Sequence, residues 1–381
     1  MTSKKSIPCT IMRGGTSKGL FFIQSDLPED TDLRAKMLLD IMGSPDKKQI
    51  DGLGGSTSVT SKVAIISLSD REDADVNYTF AQVSVDKPIV SYKGNCGNIS
   101  SAVGPFAIEK GLVPVSGDLT SVRIYNTNTD KVIISDVCTK GGFVNYQGDF
   151  SIAGVPGTAA PVKLHFVKPA GAVTNKLLPT GNPSDILDVP EVGKVEVSIV
   201  DAANPLAFIS GKDIGLSPDI LPTEIDSNPE LLRKLELIRG AAAVKCGFIE
   251  DYTQSAVLSS TVPKLTIVFD AEDYKTSGGD LIRKDDIDII SKMMSMQKAH
   301  PTYAMTGAMC TVAAAAIKGT VVGKHLKSEL PAETELKIGH PGGIIPAGVV
   351  SKTDDGVVSI EEAYGFRTAN LLMDGSAYYF G

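Results

Sequence analysis

Two stretches of this sequence resemble each other at a separation of 208 residues, and this internal repeat constrains the fold more than any other feature. The segment AIEKGLV at 107–113 and the segment AAIKGTV at 315–321 share four identical residues. Each ends an apolar stretch that follows a strand-rich region and a loop of small residues. At 381 residues the chain is also longer than a single hydrophobic core usually supports. We therefore predict two pseudo-symmetric domains, each built around one central helix.

The two predicted domains are residues 1–185 and 186–381, with the last strand returning to the first domain. The boundary is placed between Pro169 and Lys194, where prolines and glycines replace periodic apolar residues. Short apolar runs separated by Gly, Asn and Asp predict a curved, mostly antiparallel sheet or barrel around each helix, an α/β (α+β) fold. Strands are predicted at 7–12, 20–23, 63–68, 78–83, 122–125, 132–134, 162–167, 195–200 and 265–269. Helices are predicted from Asp32 to Gly43, from Pro229 onwards, at 286–296 and after Met305.

Composition argues against several classes of function. The net charge of −8 disfavours nucleic acid and anionic membranes as partners, because both require a basic surface. Five widely spaced cysteines without a CxxC pair match neither a disulfide framework nor a zinc site, so we expect no metal and a reducing compartment. No apolar run reaches the length of a membrane span, and the first residues lack the apolar core of a signal peptide. We expect a cytoplasmic protein.

The stretch GNCGNISS at 94–101 is the strongest candidate for chemistry. It leads from glycines into an apolar segment, so Cys96 is predicted at the N-terminus of a helix. There the helix dipole and unpaired N–H groups favour a thiolate. The same N–H groups can hold a substrate carboxylate. Alternatively, Cys96 is a small buried apolar residue, which is the usual role of a cysteine outside a disulfide.

Two glycine-rich loops precede this stretch. RGGTSKG at 13–19 joins two predicted strands, and it either brings the backbone close to a ligand or forms a plain hairpin turn. It lacks the spacing of a phosphate-binding loop. GLGGSTSVTSK at 52–62 places Lys62 at the start of an apolar strand. Desolvation disfavours a charged amine, so a lysine at this position can serve as a base, although most lysines are solvated surface charges.

The second half offers a further pair of motifs. DAANP at 201–205 ends a predicted strand, and Asn204 is either a turn residue or an amide donor to a ligand. HPTYAMTGA at 300–308 enters the second central helix, and His300 is either a substrate donor or a structural histidine packed on Pro301. At the separation of 208 residues Cys96 corresponds to Ala304, so the second half lacks the thiol.

These motifs resemble those of the diaminopimelate epimerase-like superfamily, and within it the branch of the PrpF-like isomerases. The likeness spans nearly the whole chain and rests on RGGTSKG, GLGGSTSVTSK, GNCGNISSAVGPFAIEKGLV, DAANP, HPTYAMTGA and RTANLLMDG at 367–375. It implies two pseudo-symmetric domains with the active site between them, no cofactor, and Lys62 and Cys96 as the acid/base pair with Ser17 near them. Ala304 stands where the epimerases have a second catalytic cysteine, which disfavours stereochemical inversion by two thiols.

The resemblance further implies an isomerase that moves a proton between allylic carbons of an unsaturated dicarboxylate. The catalytic positions are most similar to those of enzymes that interconvert 3-methylitaconate and 2,3-dimethylmaleate. A 4-oxalomesaconate tautomerase, a 2-methylaconitate cis-trans isomerase and an inactive dicarboxylate-binding protein are the alternatives. Lys62 is assigned as the primary base and Cys96 as its partner, with exchangeable roles, and we expect a homo-oligomer. The residues expected to contact the substrate are Thr16, Gly55, Ser56, Asn95, Gly97, Asn98, Asn204, His300, Met305, Thr306 and Gly307.

Overall fold

The computed structural model describes residues 3–92, 96–328 and 330–380. Two compact units emerge, one of residues 1–165 and 366–381 and the other of residues 166–365. The boundary predicted from sequence lies at 185/186. In the structure, the proline-rich residues 166–185 belong to the second unit. Hydrogen bonds account for this grouping, because the Gly171 N–H donates to the carbonyl of Asp201 and the Asp201 N–H donates to the carbonyl of Leu177, at 2.8 and 2.9 Å.

The first unit is a sheet with a helix on each side. Its strands are β1 (Lys4–Gly14), β2 (Ser17–Ile23), β3 (Lys62–Leu68), β4 (Val76–Val83), β5 (Val90–Ser91), β6 (Leu119–Asn126), β7 (Lys131–Lys140), β8 (Phe143–Val144) and β9 (Pro161–Val167). Its α-helices are α1 (Thr31–Met42) and α2 (Gly97–Glu109), and a short 3₁₀ helix covers Gln24–Asp26.

Strand pairing in the first unit alternates between antiparallel and parallel neighbours. β1 and β2 form an antiparallel hairpin, β2 runs parallel to β3, and β3 is antiparallel to β4. β4 then runs parallel to β6, and β6 is antiparallel to β7. Leu20 and Val63 on one face pack with the apolar residues of α1. On the other face the rings of Phe21 and Phe106 lie 5.4 Å apart, which places α2 against that side.

The second unit has a sheet of the same kind. Its strands are β10 (Asp185–Val189), β11 (Gly193–Asp201), β12 (Pro205–Ser210), β13 (Lys264–Asp270), β14 (Tyr274–Lys275), β15 (Leu281–Ile282), β16 (Ile289–Ser295), β17 (Lys298–Ala299), β18 (Glu333–His340) and β19 (Gly343–Asp354). Its α-helices are α3 (Pro222–Asp226), α4 (Pro229–Lys245), α5 (Ser255–Leu258), α6 (Met305–Ala315) and α7 (Val321–Lys324), and 3₁₀ helices cover Lys212–Ile214, Tyr252–Gln254 and Lys284–Asp286.

The order of pairing repeats that of the first unit. β11 and β12 are antiparallel, β12 runs parallel to β13, β13 is antiparallel to β16, β16 runs parallel to β18, and β18 is antiparallel to β19. α6 lies between β16 and β18 in the chain, as α2 lies between β4 and β6, and it packs on β11, β12, β18 and β19. The predicted fold class, two similar halves around central helices, is confirmed.

The last strand, β20 (Val357–Phe380), contributes to both units. Residues 357–365 pair antiparallel with β19. Residues 369–380 pair antiparallel with β1. The return of the chain end to the first half, predicted from sequence, corresponds to this second pairing.

The helices differ from their predictions in two places. The predicted helix at 286–296 is wrong, because these residues form β16, which is buried on both faces. The N-cap of α1 is Asp30 and not Asp32, since the Asp30 side chain accepts from the N–H groups of Asp32 and Leu33 at 2.9 Å. α2 includes Pro105 within its length. Among the described residues, no helix is long and apolar enough to cross a membrane.

Candidate active site

One face of the first unit's sheet carries two of the residues predicted for catalysis. Side chains alternate along a strand, so Ser17, Gly19 and Phe21 of β2 share one face. α2 covers that face, since a Cβ on Gly19 would lie 3.1 Å from the side chain of Ile99. Lys62 is paired in register with Gly19 across β2 and β3 and therefore lies on the same face.

Lys62 is the first residue of β3 and is 9% exposed. Its Nζ donates to Gln82 Oε1 at 2.7 Å and lies 5.1 Å from the centroid of the Phe80 ring. The Gln82 Nε2 in turn donates to the carbonyl oxygens of Ser61 and Ser58, at 2.8 and 3.1 Å. No carboxylate in the described part of the chain forms an ion pair with Lys62. The amine is therefore oriented by a neutral amide whose two ends are both engaged.

Cys96 occupies the N-cap of α2 and is half-buried. Its carbonyl accepts from the N–H and the hydroxyl of Ser100, at 2.9 and 3.0 Å. Burial raises the pKa of the Tyr78 hydroxyl well above its usual value, and the nearby Cys96 raises it further. Tyr78 therefore keeps its proton and is an O–H donor in the surroundings of the sulfur.

Ser17 begins β2 and is 3% exposed. Its hydroxyl has no hydrogen-bond partner among the described residues. Buried hydroxyls are nearly always satisfied, and an unpaired one costs about 1–3 kcal/mol, so this hydroxyl is a candidate ligand contact. Gly14, paired with Ser17 across the hairpin, is so close to the first turn of α2 that a Cβ there would collide with the carbonyl of Asn98. Ser17 thus lies towards the N-terminal end of α2.

Asn98, in the first turn of α2, is held by two side chains. Its Nδ2 donates to Thr16 Oγ1 at 2.9 Å, and its Oδ1 accepts from Arg367 Nε at 3.2 Å. Gly15, with a φ of +51°, allows this approach, because a Cβ there would collide with Asn98 Oδ1. The predicted contact residues Thr16 and Asn98 are therefore bonded to each other. The backbone N–H groups of Gly97 and Asn98, which have no acceptor within the helix, remain the donors predicted for a substrate.

Arg367 of β20 adds a charge to this end of α2. It is 7% exposed, and its Nη1 donates to the carbonyl of Phe366 at 2.9 Å. Within the described ranges no carboxylate pairs with it. Burial lowers the pKa of the Arg367 guanidinium from 12.5 to about 10, so the side chain is still a cation at neutral pH. A buried charge without a counter-ion is unfavourable, which sets Arg367 apart from an ordinary structural residue.

The second glycine-rich loop is held by its own polar contacts. The Ser56 N–H donates to Gln49 Oε1 at 2.9 Å, and the Ser56 hydroxyl donates to the carbonyl of Lys48 at 2.7 Å. Ser56 is exposed and, with Gln82, lines a groove of about 560 Å³. Gly55 is half-buried beside it. The donors of Ser56 are thus used inside the loop, and the predicted substrate contacts of Gly55 and Ser56 stay predictions.

In the second unit, His300 is oriented by its own loop. Its Nδ1 accepts from the Thr302 N–H at 3.1 Å, so a neutral His300 carries its proton on Nε2 and is a donor there. Its backbone N–H donates to the carbonyl of Met293 at 2.8 Å. Asn204 is half-buried in the turn between β11 and β12 and follows Ala203, which has a φ of +63°.

α6 begins as α2 does, without a side-chain cap in the described part of the chain. Its N-cap is Ala304, so the repeat places Cys96 and Ala304 at the same position of their helices. Met305 and Gly307 are buried and Thr306 is half-buried in the first turn. Their N–H groups lack acceptors within the helix and can donate to an anion.

The predicted site residues thus fall into two sets. Ser17, Lys62, Cys96, Thr16, Gly97 and Asn98 lie on the α2-covered face or at the start of α2 in the first unit, and Asn204, His300 and Met305–Gly307 lie in the second. Asn95 lies outside the described residues. In those residues, no group of three or more His, Cys, Asp or Glu side chains that could hold a metal ion comes together.

Three residues of the site were not predicted. Gln82 and Tyr78 belong to a strand that was predicted correctly, and their even spacing along it was a usable signal for the face they share. Arg367 lies in a motif that was recognised without a role for this residue. Its contact with Asn98 joins residues 269 positions apart, which no local pattern reveals.

Comparison with known proteins is consistent with this geometry. The family model described as "PrpF protein" matches residues 4–380. The 3-methylitaconate isomerase of Eubacterium barkeri is 46% identical over 379 residues, which cover 99% of this chain and 98% of that protein. The crystal structure of a methylitaconate-delta-isomerase matches with a TM-score of 0.91 and 45% identity, over 99% of this chain and 96% of that one.

A more distant structure shows the fold alone. A probable proline racemase from Agrobacterium radiobacter K84 matches with a TM-score of 0.52 at 12% identity, covering 97% of this chain and 92% of that one. The family match and the E. barkeri relative each extend over nearly the whole sequence. The chain therefore belongs to the PrpF family, and it is an isomerase.

Proposed function

We propose that this isomerase interconverts 3-methylitaconate and 2,3-dimethylmaleate by moving a proton between allylic carbons. The observation that carries the proposal is the placement of the Lys62 amine, oriented by Gln82, on the same α2-covered face as the unsatisfied hydroxyl of Ser17. Cys96 caps that helix. The full-length likeness to a 3-methylitaconate isomerase supports this choice of substrate.

The first step is removal of the proton on the carbon that bears both a methyl group and a carboxylate. Lys62 acts as the base and must be neutral to do so. Its bond to Gln82 uses one N–H and leaves the nitrogen lone pair for the proton. The C–H electron pair delocalises through the adjacent C=C bond into a dienolate. A positioned base contributes about 10²- to 10⁴-fold to such a step.

The second step returns a proton to the methylene carbon at the far end of the allyl system, which becomes a methyl group. Cys96 is the proposed acid, and Tyr78 and the helix N-terminus stabilise the thiolate that remains. The N–H groups at the start of α2 and the Ser17 hydroxyl stabilise the negative charge of the dienolate. The reverse reaction uses the same groups in exchanged roles.

Three further features belong to this proposal. The first transfer is at a carbon that bears a carboxylate, and the second is at the far end of the same allyl system. We propose that side chains alone perform both acid–base steps, without a cofactor. We also propose that the substrate is a dicarboxylate and that the enzyme acts in the cytoplasm as a homo-oligomer. Five widely spaced cysteines without a CxxC pair, typical of a reducing compartment, support the location.

The test is deuterium exchange. Purified enzyme in D₂O should exchange the allylic proton of 3-methylitaconate and convert the acid to 2,3-dimethylmaleate. Proton NMR measures both the exchange and the conversion. Lys62→Ala should lose exchange at the carbon that bears the methyl group, whereas Cys96→Ser should keep that exchange and lose turnover. Near-full turnover by Lys62→Ala would show that the mechanism is wrong.

A matched control and a substrate panel complete the experiment. Lys18→Met removes a half-buried lysine of β2 from the face opposite Ser17, and it should retain turnover. Preferential turnover of 4-oxalomesaconate or 2-methylaconitate would replace the proposed substrate by one of these. Failure to exchange deuterium into any of the acids would identify a dicarboxylate-binding protein without catalysis.

A further inference from the structure

We infer that Arg367 binds one carboxylate of the substrate at the N-terminal end of α2. The inference rests on the proposed function and adds to it the residue that neutralises one of the two negative charges. No charged side chain had been predicted for that role.

The charge of Arg367 is not balanced by the protein. The side chain is 93% buried, being 7% exposed, and its partners in the described residues are neutral, the amide oxygen of Asn98 and the carbonyl of Phe366. Folded proteins almost always pair a buried cation with an anion, because an isolated buried charge costs several kcal/mol. A residue that keeps such a charge is typical of a site that receives an anionic ligand.

The position of Arg367 fits a carboxylate. Its Nε bond to Asn98 fixes the guanidinium against the first turn of α2, a helix of 13 residues. The bonds to Asn98 and to the carbonyl of Phe366 use two of its five N–H groups. The others are sufficient for the planar, two-point contact by which arginine binds carboxylates.

An independent observation points to a ligand at the same end of α2. The Ser17 hydroxyl, 97% buried by its 3% exposure, has no partner among the described residues. A carboxylate at the start of α2 would accept from this hydroxyl, from the N–H groups of Gly97 and Asn98, and from Arg367. One group of the substrate would thus satisfy both an orphaned hydroxyl and an uncompensated cation.

A purely structural role explains less. Arg13, on the neighbouring strand β1, is the structural counterpart, because its Nη1 donates to the carbonyl of Gly15 at 3.0 Å and to the carbonyl and hydroxyl of Thr368 at 3.0 and 2.9 Å. These bonds tie the hairpin to β20. The single bond from Arg367 to Asn98 requires one N–H and no charge.

The test measures how Arg367 variants bind itaconate and its two half-esters, each of which masks one carboxylate. Isothermal calorimetry on wild-type protein should show that both half-esters bind more weakly than itaconate. Arg367→Gln should lower the affinity for itaconate by about 10- to 100-fold, the range for a hydrogen bond to a charged group. It should lower the affinity by the same factor for the half-ester whose free carboxylate is the one that Arg367 binds. It should hardly change the affinity for the other half-ester, in which that carboxylate is masked.

Controls keep the outcomes separate. Arg367→Lys retains the positive charge and keeps the test valid if the glutamine variant fails to fold. It should lower the affinity for itaconate by an intermediate factor, with the same difference between the two half-esters. Arg13→Gln should lower the melting temperature without changing the ratio of affinities for itaconate and the half-esters. Equal affinity of wild type and both Arg367 variants, or a loss that is the same for all three ligands, would overturn the inference alone. Wild-type protein that binds neither itaconate nor 2,3-dimethylmaleate would overturn the proposed function as well.

Discussion

Replacing Lys292 by methionine should stabilise the protein in a way that depends on pH. Lys292 lies in β16 and is 3% exposed, on the face that packs into the apolar cluster with Ile290 and Met294. Its Nζ lacks a hydrogen-bond partner in the described part of the chain and lies 5.7 Å from the centroid of the Tyr274 ring. Methionine has a similar volume and removes the amine, so the apolar packing is retained.

The magnitude follows from the pKa of the amine. Burial lowers the pKa of Lys292 from 10.5 to about 8, against the opposing effect of the carboxylates of Asp219 and Glu224. At about 1.4 kcal/mol per pKa unit, this difference corresponds to about 3 kcal/mol. Between pH 8 and pH 10.5 the unfolded chain binds more protons at this residue than the native chain. The contribution of Lys292 to the free energy of unfolding therefore rises with pH through this window.

The assay is urea unfolding of wild type and Lys292→Met at several pH values from 7 to 11. The variant should be more stable by about 3 kcal/mol at and below pH 8, and this advantage should shrink to a small constant above pH 10.5. Lys298→Met, which removes an exposed lysine of β17, serves as the control and should show no such trend. A difference between wild type and Lys292→Met that stays constant from pH 8 to pH 10.5 would refute the reasoning.

Three other substitutions test the site. Gly14→Ala should lower the free energy of unfolding by about 1–3 kcal/mol, because the new Cβ would collide with the carbonyl of Asn98 and displace the start of α2. Urea unfolding measures this loss, and an unchanged midpoint would contradict the contact. Gln82→Leu should lower kcat by about 10- to 100-fold with little change in melting temperature, since the amine of Lys62 loses its only hydrogen-bond acceptor in the described residues; steady-state kinetics check this. Tyr78→Phe removes the buried hydroxyl that is the proposed donor near Cys96. The rate of alkylation of Cys96 by iodoacetamide at pH 7 should therefore fall, and an unchanged rate would exclude the proposed donor.

The start of α2 shows what local sequence reveals. Glycines around Cys96 and the apolar run after it were sufficient to predict the N-cap, because capping depends on a few neighbouring residues. The position of Lys62 at the start of β3 was predictable for the same reason. The amide that orients it was not, since Gln82 meets Lys62 through the register of two strands and not through spacing along the chain.

The error at 286–296 has a different physical origin. The apolar residues of this stretch fit a helical period, but every residue from Ile289 to Met294 is buried, as in a strand covered on both faces. A charged residue, Lys292, is among them, and sequence patterns assign lysines to the surface. The burial of Arg367 could not be predicted for a related reason, because it depends on residues of α2 that are distant in the sequence.

The pairing of β20 with β1 has a consequence for synthesis of the chain on the ribosome. Residues 369–380, which complete the edge of β1, emerge after all the rest of the first unit. Until then an eleven-residue strand has an unpaired edge, the kind of surface that associates with other chains. Arg367 belongs to the same late segment of the chain. A nascent or C-terminally truncated chain would therefore lack both a complete sheet and the cation proposed to bind the substrate carboxylate. Loss of the last fifteen or so residues should therefore produce aggregation and not merely a shorter enzyme.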